Sequence, residues 1–153
     1  MTQIPKCTLV PTRFYDEKDP RCFLSEVFPL GEDEAVESAA LPAYDAVLVY
    51  VPAGKDAPAL LKLLEDLPRC PEHYKIAADW KDGCLSLAVA EGERLLFANV
   101  FPAAEFVTAE YFIFAAMKSL QLNPEVSSVY FRTPLKEAEE ISLCRYFRSV
   151  EVL

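Results

Sequence analysis

The stretch "IAADWKDGCLSLAVAEGERLLFANVF", Ile76 to Phe101, decides the fold. Asp82-Gly83 is the strongest short hairpin signal in the chain, because a type I′ turn needs positive φ at both central residues and these types tolerate it. Gly92-Glu93 suits a II′ turn, which wants glycine in the first central place. Three strand-like runs flank these turns. With two-residue loops the register follows by counting: Trp80 faces Leu85, Ala78 faces Leu87 and Ile76 faces Val89. Leu96, Ala98 and Val100 are then expected to extend that apolar face through the third strand. The opposite face would carry Asp79, Ser86 and Asn99 side by side. A polar row on the wet face of a sheet is ordinary. As the floor of a site, it is the one constellation this sequence offers.

Downstream, "AEFVTAEYFIFAAMKSLQL" (Ala104 to Leu122) is apolar almost all round. Such a helix is buried on more than one side, or turns its outer face to a partner. "NPE" breaks it, and "VSSVYF" (Val126 to Phe131) is a strand by β-branched and aromatic content. Thr133 is expected to cap a helix with Pro134 at its first position, running to about Arg148. "VEVL" closes as a last strand. Residues 75–153 therefore read β-β-β-α-β-α-β, an α/β lobe with a mixed sheet.

Upstream, "TLVP" (Thr8 to Pro11) reads as a short strand, and residues 12–17 as a short helix. "FLSEVFPL" (Phe23 to Leu30) is expected to pass from helix into strand, and the acidic "GEDEAVESAALPA" to cross the surface. "YDAVLVYVP" (Tyr44 to Pro52) is a buried strand bounded by prolines. Asp56 is expected to cap the next helix, whose apolar stripe is Leu60, Leu63, Leu64 and Leu67, with Pro58 in its first turn. Residues 1–72 then form a partial first lobe packed on a second lobe, residues 73–153.

Composition excludes several function classes. The chain has 153 residues and a net charge of −9. Phosphate neutralisation needs clustered Lys and Arg, so neither nucleic acid nor an anionic membrane is expected as a partner. The opening "MTQIPKCTLV" lacks a basic region followed by a long apolar run, and no later apolar run is long enough to span a bilayer. Cys7, Cys22, Cys70, Cys84 and Cys144 are odd in number and scattered. They read as reduced thiols of a cytoplasmic protein. His73, the single histidine, has only Cys70 nearby in sequence, and no metal is expected. No G-x-S-x-G elbow accompanies any serine, and Cys84 and Cys144 read as core thiols.

Three meandering strands followed by α-β-α and a further strand resemble one lobe of the ribonuclease H-like fold, which actin-like ATPases carry twice. "IAADWKDGCLSLAVAEG" is similar to the second phosphate-binding hairpin of that superfamily, where an Asp closes the first strand and a Gly-rich turn with a Thr follows. Asp79 falls at the family Asp. Trp80, Lys81 and Asp82 fall where the glycines should begin, Gly83 remains, and Cys84 replaces the hydroxyl residue. More specifically, "LVP", "LLFANVF" and "LNPE" resemble a family of uncharacterised bacterial proteins, degenerate relatives of actin-like pilus-assembly and secretion proteins. The resemblance implies a fold and carries no established activity, site residues or cofactor. It also implies that further strands precede "LVP" in the native protein.

Phosphates approach main-chain N–H groups closely only where side chains are missing. Trp80, Lys81 and Asp82 are expected to obstruct that approach, leaving Asp79, Asp82 and Gly83 as vestigial positions. Ribonuclease chemistry needs several carboxylates around two metals. Asp79 could be the first and Glu105 or Glu110 the second, but "VSSVYFR" adds none and Glu125 lies at the wrong end of it. The sequence therefore points to a non-catalytic interaction or scaffold module that self-associates or binds another protein through an uncovered strand edge or helix face. The alternative is an actin-like ATPase completed by N-terminal sequence or a partner subunit.

Overall fold

A computed structural model describes residues 4–53 and 56–153. Five strands form the larger sheet: β4 (Tyr74–Lys81), β5 (Cys84–Glu91), β6 (Arg94–Pro102), β7 (Ser128–Phe131) and β8 (Ser149–Val152), in the order β6-β5-β4-β7-β8. β4, β5 and β6 are antiparallel, while β7 runs parallel to β4 and β8 parallel to β7. Helix α3 (Phe106–Ser119) joins β6 to β7, and α4 (Glu137–Cys144) joins β7 to β8. This is the expected β-β-β-α-β-α-β lobe. Ahead of it, β1 (Cys7–Pro11), β2 (Glu37–Leu41) and β3 (Ala46–Tyr50) make a small antiparallel sheet in the order β1-β3-β2. Helix α1 (Pro20–Ser25) lies between β1 and β2 in sequence, and α2 (Ala59–Asp66) leads from β3 to β4.

The cores explain the stacking. Helix α2 buries Leu60, Leu61, Leu63 and Leu64 between the two sheets, against Leu48 and Tyr50 on one side and Ala77, Ala88 and Val100 on the other. Ala77 pairs with Ala88, and Ala88 with Ala98. That flat row of methyl groups gives the leucine stripe room to approach the sheet. Ile76, Ala78, Leu85, Leu87 and Val89 point the other way, onto Ile113 and Met117 of α3 and Leu143 of α4. Val47 and Val49 meet Leu24 of α1 on the outer face of the small sheet. The order of layers is α1, small sheet, α2, large sheet, α3 with α4.

Several local expectations are corrected. The acidic stretch does not merely cross the surface: Glu37–Leu41 forms β2, held by pairing with β3. The helix at Pro20 does not turn into a strand, since no strand precedes β2 after α1. The expected helix over residues 12–17 is one 3-10 turn, Thr12–Phe14. Asp56 does not cap α2, whose N-cap position is Pro58 with no side-chain cap. Thr133 does not cap α4 either. That helix starts at Glu137, ends at Cys144, and has the Lys136 N–H donating to Glu139 Oε1 at 2.9 Å.

Candidate functional site

The hairpin joining β4 to β5 is as tight as its sequence demands. Lys81 pairs with Cys84, leaving Asp82 and Gly83 as the two turn residues, at φ 53° and 75°. Gly92 follows at φ 59°, where β-carbon-bearing residues are strained, and an added methyl would sit 3.3 Å from His73 Cε1. Trp80, Ala78 and Ile76 face Leu85, Leu87 and Val89, as counting predicted.

The third strand departs from the count. A β-bulge in the β5–β6 pairing at Val89/Ala90 inserts an extra residue, so Val89 faces Phe97, Leu87 faces Asn99 and Ser86 faces Val100. One extra residue moves every later side chain to the opposite face. Asn99 is therefore absent from the polar rung and Val100 and Ala98 line the α2 side, while Phe97 and Phe101 join the α3 side. Asp79 and Ser86 remain a cross-strand pair, both buried.

Asp79 lines a cavity of about 700 Å³ between the hairpin and the start of α2. The cavity wall includes Asp56, Pro58, Ala59, Lys62, Lys81 and Arg132, besides Asp82, Cys84 and Ser86. Three cationic and three acidic side chains thus meet there. Asp79 is only 4% exposed, and its Oδ1 has no hydrogen-bond partner among the described residues. Its position is tightly held. The Arg132 N–H donates to the Ala78 carbonyl at 2.9 Å, and the Thr133 hydroxyl bonds the Trp80 main chain. Arg132 also reaches Asp66 at 3.9 Å, a surface pair worth little.

Trp80 does not obstruct this cavity. Strand alternation turns it to the other face, where its ring meets Phe106 edge-on at 5.6 Å and Nε1 donates to the Ala103 carbonyl at 2.9 Å. Lys81 and Asp82 do stand at the cavity, and Gly83 sits in the turn beside them. Burial, with the Asp82 charge added, pushes the Cys84 thiol up, which disfavours the nucleophilic thiolate. Cys144 is exposed rather than in the core.

The remaining acidic candidates lie elsewhere. Glu110 on α3 accepts from the Ser142 hydroxyl of α4 at 2.7 Å, and Glu105 sits at the N-cap of α3. Helix α3 covers the sheet face opposite Asp79, so these carboxylates do not converge with it. His73 is exposed and lies 3.5 Å from Glu91. No group of His, Cys, Asp and Glu among the described residues could hold a metal ion. No helix among them is long and apolar enough to cross a membrane.

A second feature gives no sequence signal beyond aromatic content. Phe97 and Phe101 of β6 stack at 6.0 Å, Phe101 stacks on Phe112 of α3 at 4.4 Å, and Tyr111 meets Phe112 edge-on at 5.5 Å. Beside them Val107 and Tyr111, one helical turn apart, are 66% and 65% exposed. The apolar helix is thus buried on one side only.

No curated protein matches this chain. Among solved structures, a Bacteroides thetaiotaomicron protein with an actin-like ATPase fold and unknown function is similar to it, with a TM-score of 0.76 and 16% identity. That similarity covers 97% of this chain and 65% of the other, and at such identity it establishes the fold alone. The chain has an actin-like ATPase fold and spans 65% of that relative's length. Residues 54–150, well over half the chain, match the family described as "Protein of unknown function (DUF3822)", and the chain belongs to that family.

Proposed function

We propose that this chain is a non-catalytic interaction module on an actin-like fold, acting in the bacterial cytoplasm as two lobes, residues 1–72 and 73–153, and binding a second copy of itself. The observation that carries this reading is the exposed pair Val107 and Tyr111 on α3, with Tyr111 edge-on to Phe112 of the Phe97–Phe101–Phe112 stack. Tyrosine and phenylalanine supply large contact area at low entropic cost, and contiguous exposed apolar surface of this kind marks interaction sites. Size-exclusion chromatography with light scattering at micromolar concentration tests it. The wild type should run as a dimer, and Val107→Glu or Tyr111→Glu should run as a monomer. A monomeric wild type would refute the reading.

The cavity at Asp79 favours a second reading, a nucleotide-binding protein. A buried carboxylate whose Oδ1 has no hydrogen-bond partner among the described residues, in a cavity lined also by Lys62, Lys81, Arg132 and the uncapped start of α2, is compatible with a polar phosphorylated ligand. Against it, Asp82 places negative charge beside any phosphate, and like charges at about 4 Å repel by about 4 kcal/mol near a surface. Thermal shift with Mg-ATP separates the two readings. Ligand at 1,000 times its dissociation constant stabilises a protein by about 4 kcal/mol. Such a shift, lost in Asp79→Ala, would establish nucleotide binding; no shift supports the interaction module.

A further inference from the structure

Strand β6 ends the larger sheet, so one side of its main chain has no strand partner among the described residues. The pairing tells which groups that side presents. In a two-residue hairpin the flanking pair exchanges both main-chain hydrogen bonds, and bonded and non-bonded pairs then alternate. Lys81 and Cys84 are that flanking pair, so Cys84, Ser86 and Ala88 bond toward β4, while Leu85, Leu87 and Val89 bond toward β6. Phe101, Asn99 and Phe97 answer them. The Ala103 N–H donating to the Gly83 carbonyl at 2.8 Å continues the same phase. Ala98, Val100 and Pro102 therefore turn their main-chain groups to the free edge.

Along that edge the donors are sparse. Pro102 has no N–H to offer. The Val100 N–H donates to Asn99 Oδ1 at 2.8 Å. Ala98 keeps its donor. Without that cap the strand would be an open template, since Leu95 to Phe101 carries no charged side chain to repel a copy of itself. A second copy pairing antiparallel about Asn99 would set Ala98 against the copy's residue 100, and half of the bonds formed would need the Val100 N–H. We propose that Asn99 guards the β6 edge: its carboxamide occupies the Val100 N–H and holds a second copy of the chain off this strand.

This inference goes beyond the α3 patch and is tested apart from it. Sedimentation velocity of the full chain compares the self-association constants of the wild type and Asn99→Val. Freeing one edge donor per copy should tighten association about tenfold, with new hydrogen-exchange protection at the Ala98 and Val100 amides. Ala98→Pro in the same background removes the outward donor without touching β5, and should return the constant to the wild-type value. The ratio decides the matter whether or not the wild type dimerises through Tyr111. A ratio near one, with exchange unchanged, overturns the guard. Asn99→Ala supplies the same comparison should the valine variant fail to fold, and Asn99→Asp, which keeps the acceptor, should match the wild type.

Discussion

The Thr133 hydroxyl bonds both polar groups of one residue's main chain, accepting from the Trp80 N–H and donating to the Trp80 carbonyl, each at 3.2 Å. Beyond the last pair of β4 and β7, Ala78 with Phe131, a side chain thus takes over the role of the next strand residue. That contact keeps the end of β4, and with it Asp79, in line with the sheet.

Thr133→Val should therefore destabilise the fold by about 1–2 kcal/mol, because two main-chain groups of a half-buried residue lose their partner. Urea unfolding measures it. Thr133→Ser should recover most of the loss, since it restores the hydroxyl. An equally stable valine variant would show that water replaces the contact.

Asp79→Ala should leave stability unchanged or raise it by about 1 kcal/mol. The substitution removes a buried oxygen, Oδ1, with no hydrogen-bond partner among the described residues, and such an oxygen costs desolvation without return. Ala77→Leu, two residues earlier on the same face, should cost about 1–3 kcal/mol by overfilling the contact with α2. Chemical denaturation of the pair separates them. Strong destabilisation by Asp79→Ala would mean that the carboxylate has a partner in solution.

The Gly92 turn should resist substitution more than its exposure suggests. Gly92→Ala combines a strained φ of 59° with a methyl 3.3 Å from the His73 ring, and a loss of about 1–2 kcal/mol is expected. Glu93→Ala, in the same turn, should change stability by less than about 0.5 kcal/mol. Thermal melts of the two variants should differ by several degrees.

Alkaline pH should unfold the protein early. Burial pushes the Cys7 thiol from 9.0 up to about 11, and the Tyr44 hydroxyl from 10.0 up to about 12, the latter with a further push from Cys70. Both acids hold their protons more tightly when folded. Their contribution is intact below pH 9 and is lost as pH rises through about 9 to 12. Melting temperature should be level to about pH 8.5 and then fall, with Cys7→Ala shifting the onset upward. In the native state at pH 8, the exposed Cys22 and Cys144 should react with a disulfide reagent well before Cys70 and Cys84, which are buried.

The local signals that sequence carries were sufficient for much of this molecule. Turn chemistry at Asp82-Gly83 placed β4 and β5 in register, because positive φ at consecutive positions is a property of the turn residues alone. The leucine spacing of α2 identified its buried stripe for the same local reason. What sequence left undecided depended on contacts between distant segments. The bulge at Val89/Ala90 forms where two strands meet the helices on both faces of the sheet, so no pattern within β6 announces it. That single inserted residue took Asn99 out of the polar row and set it against the Val100 N–H. Thr133 was drawn from a capping role to the Trp80 main chain by a strand more than fifty residues earlier. Short-range geometry belongs to the residues themselves; which polar group meets which across the fold was decided only when the layers closed.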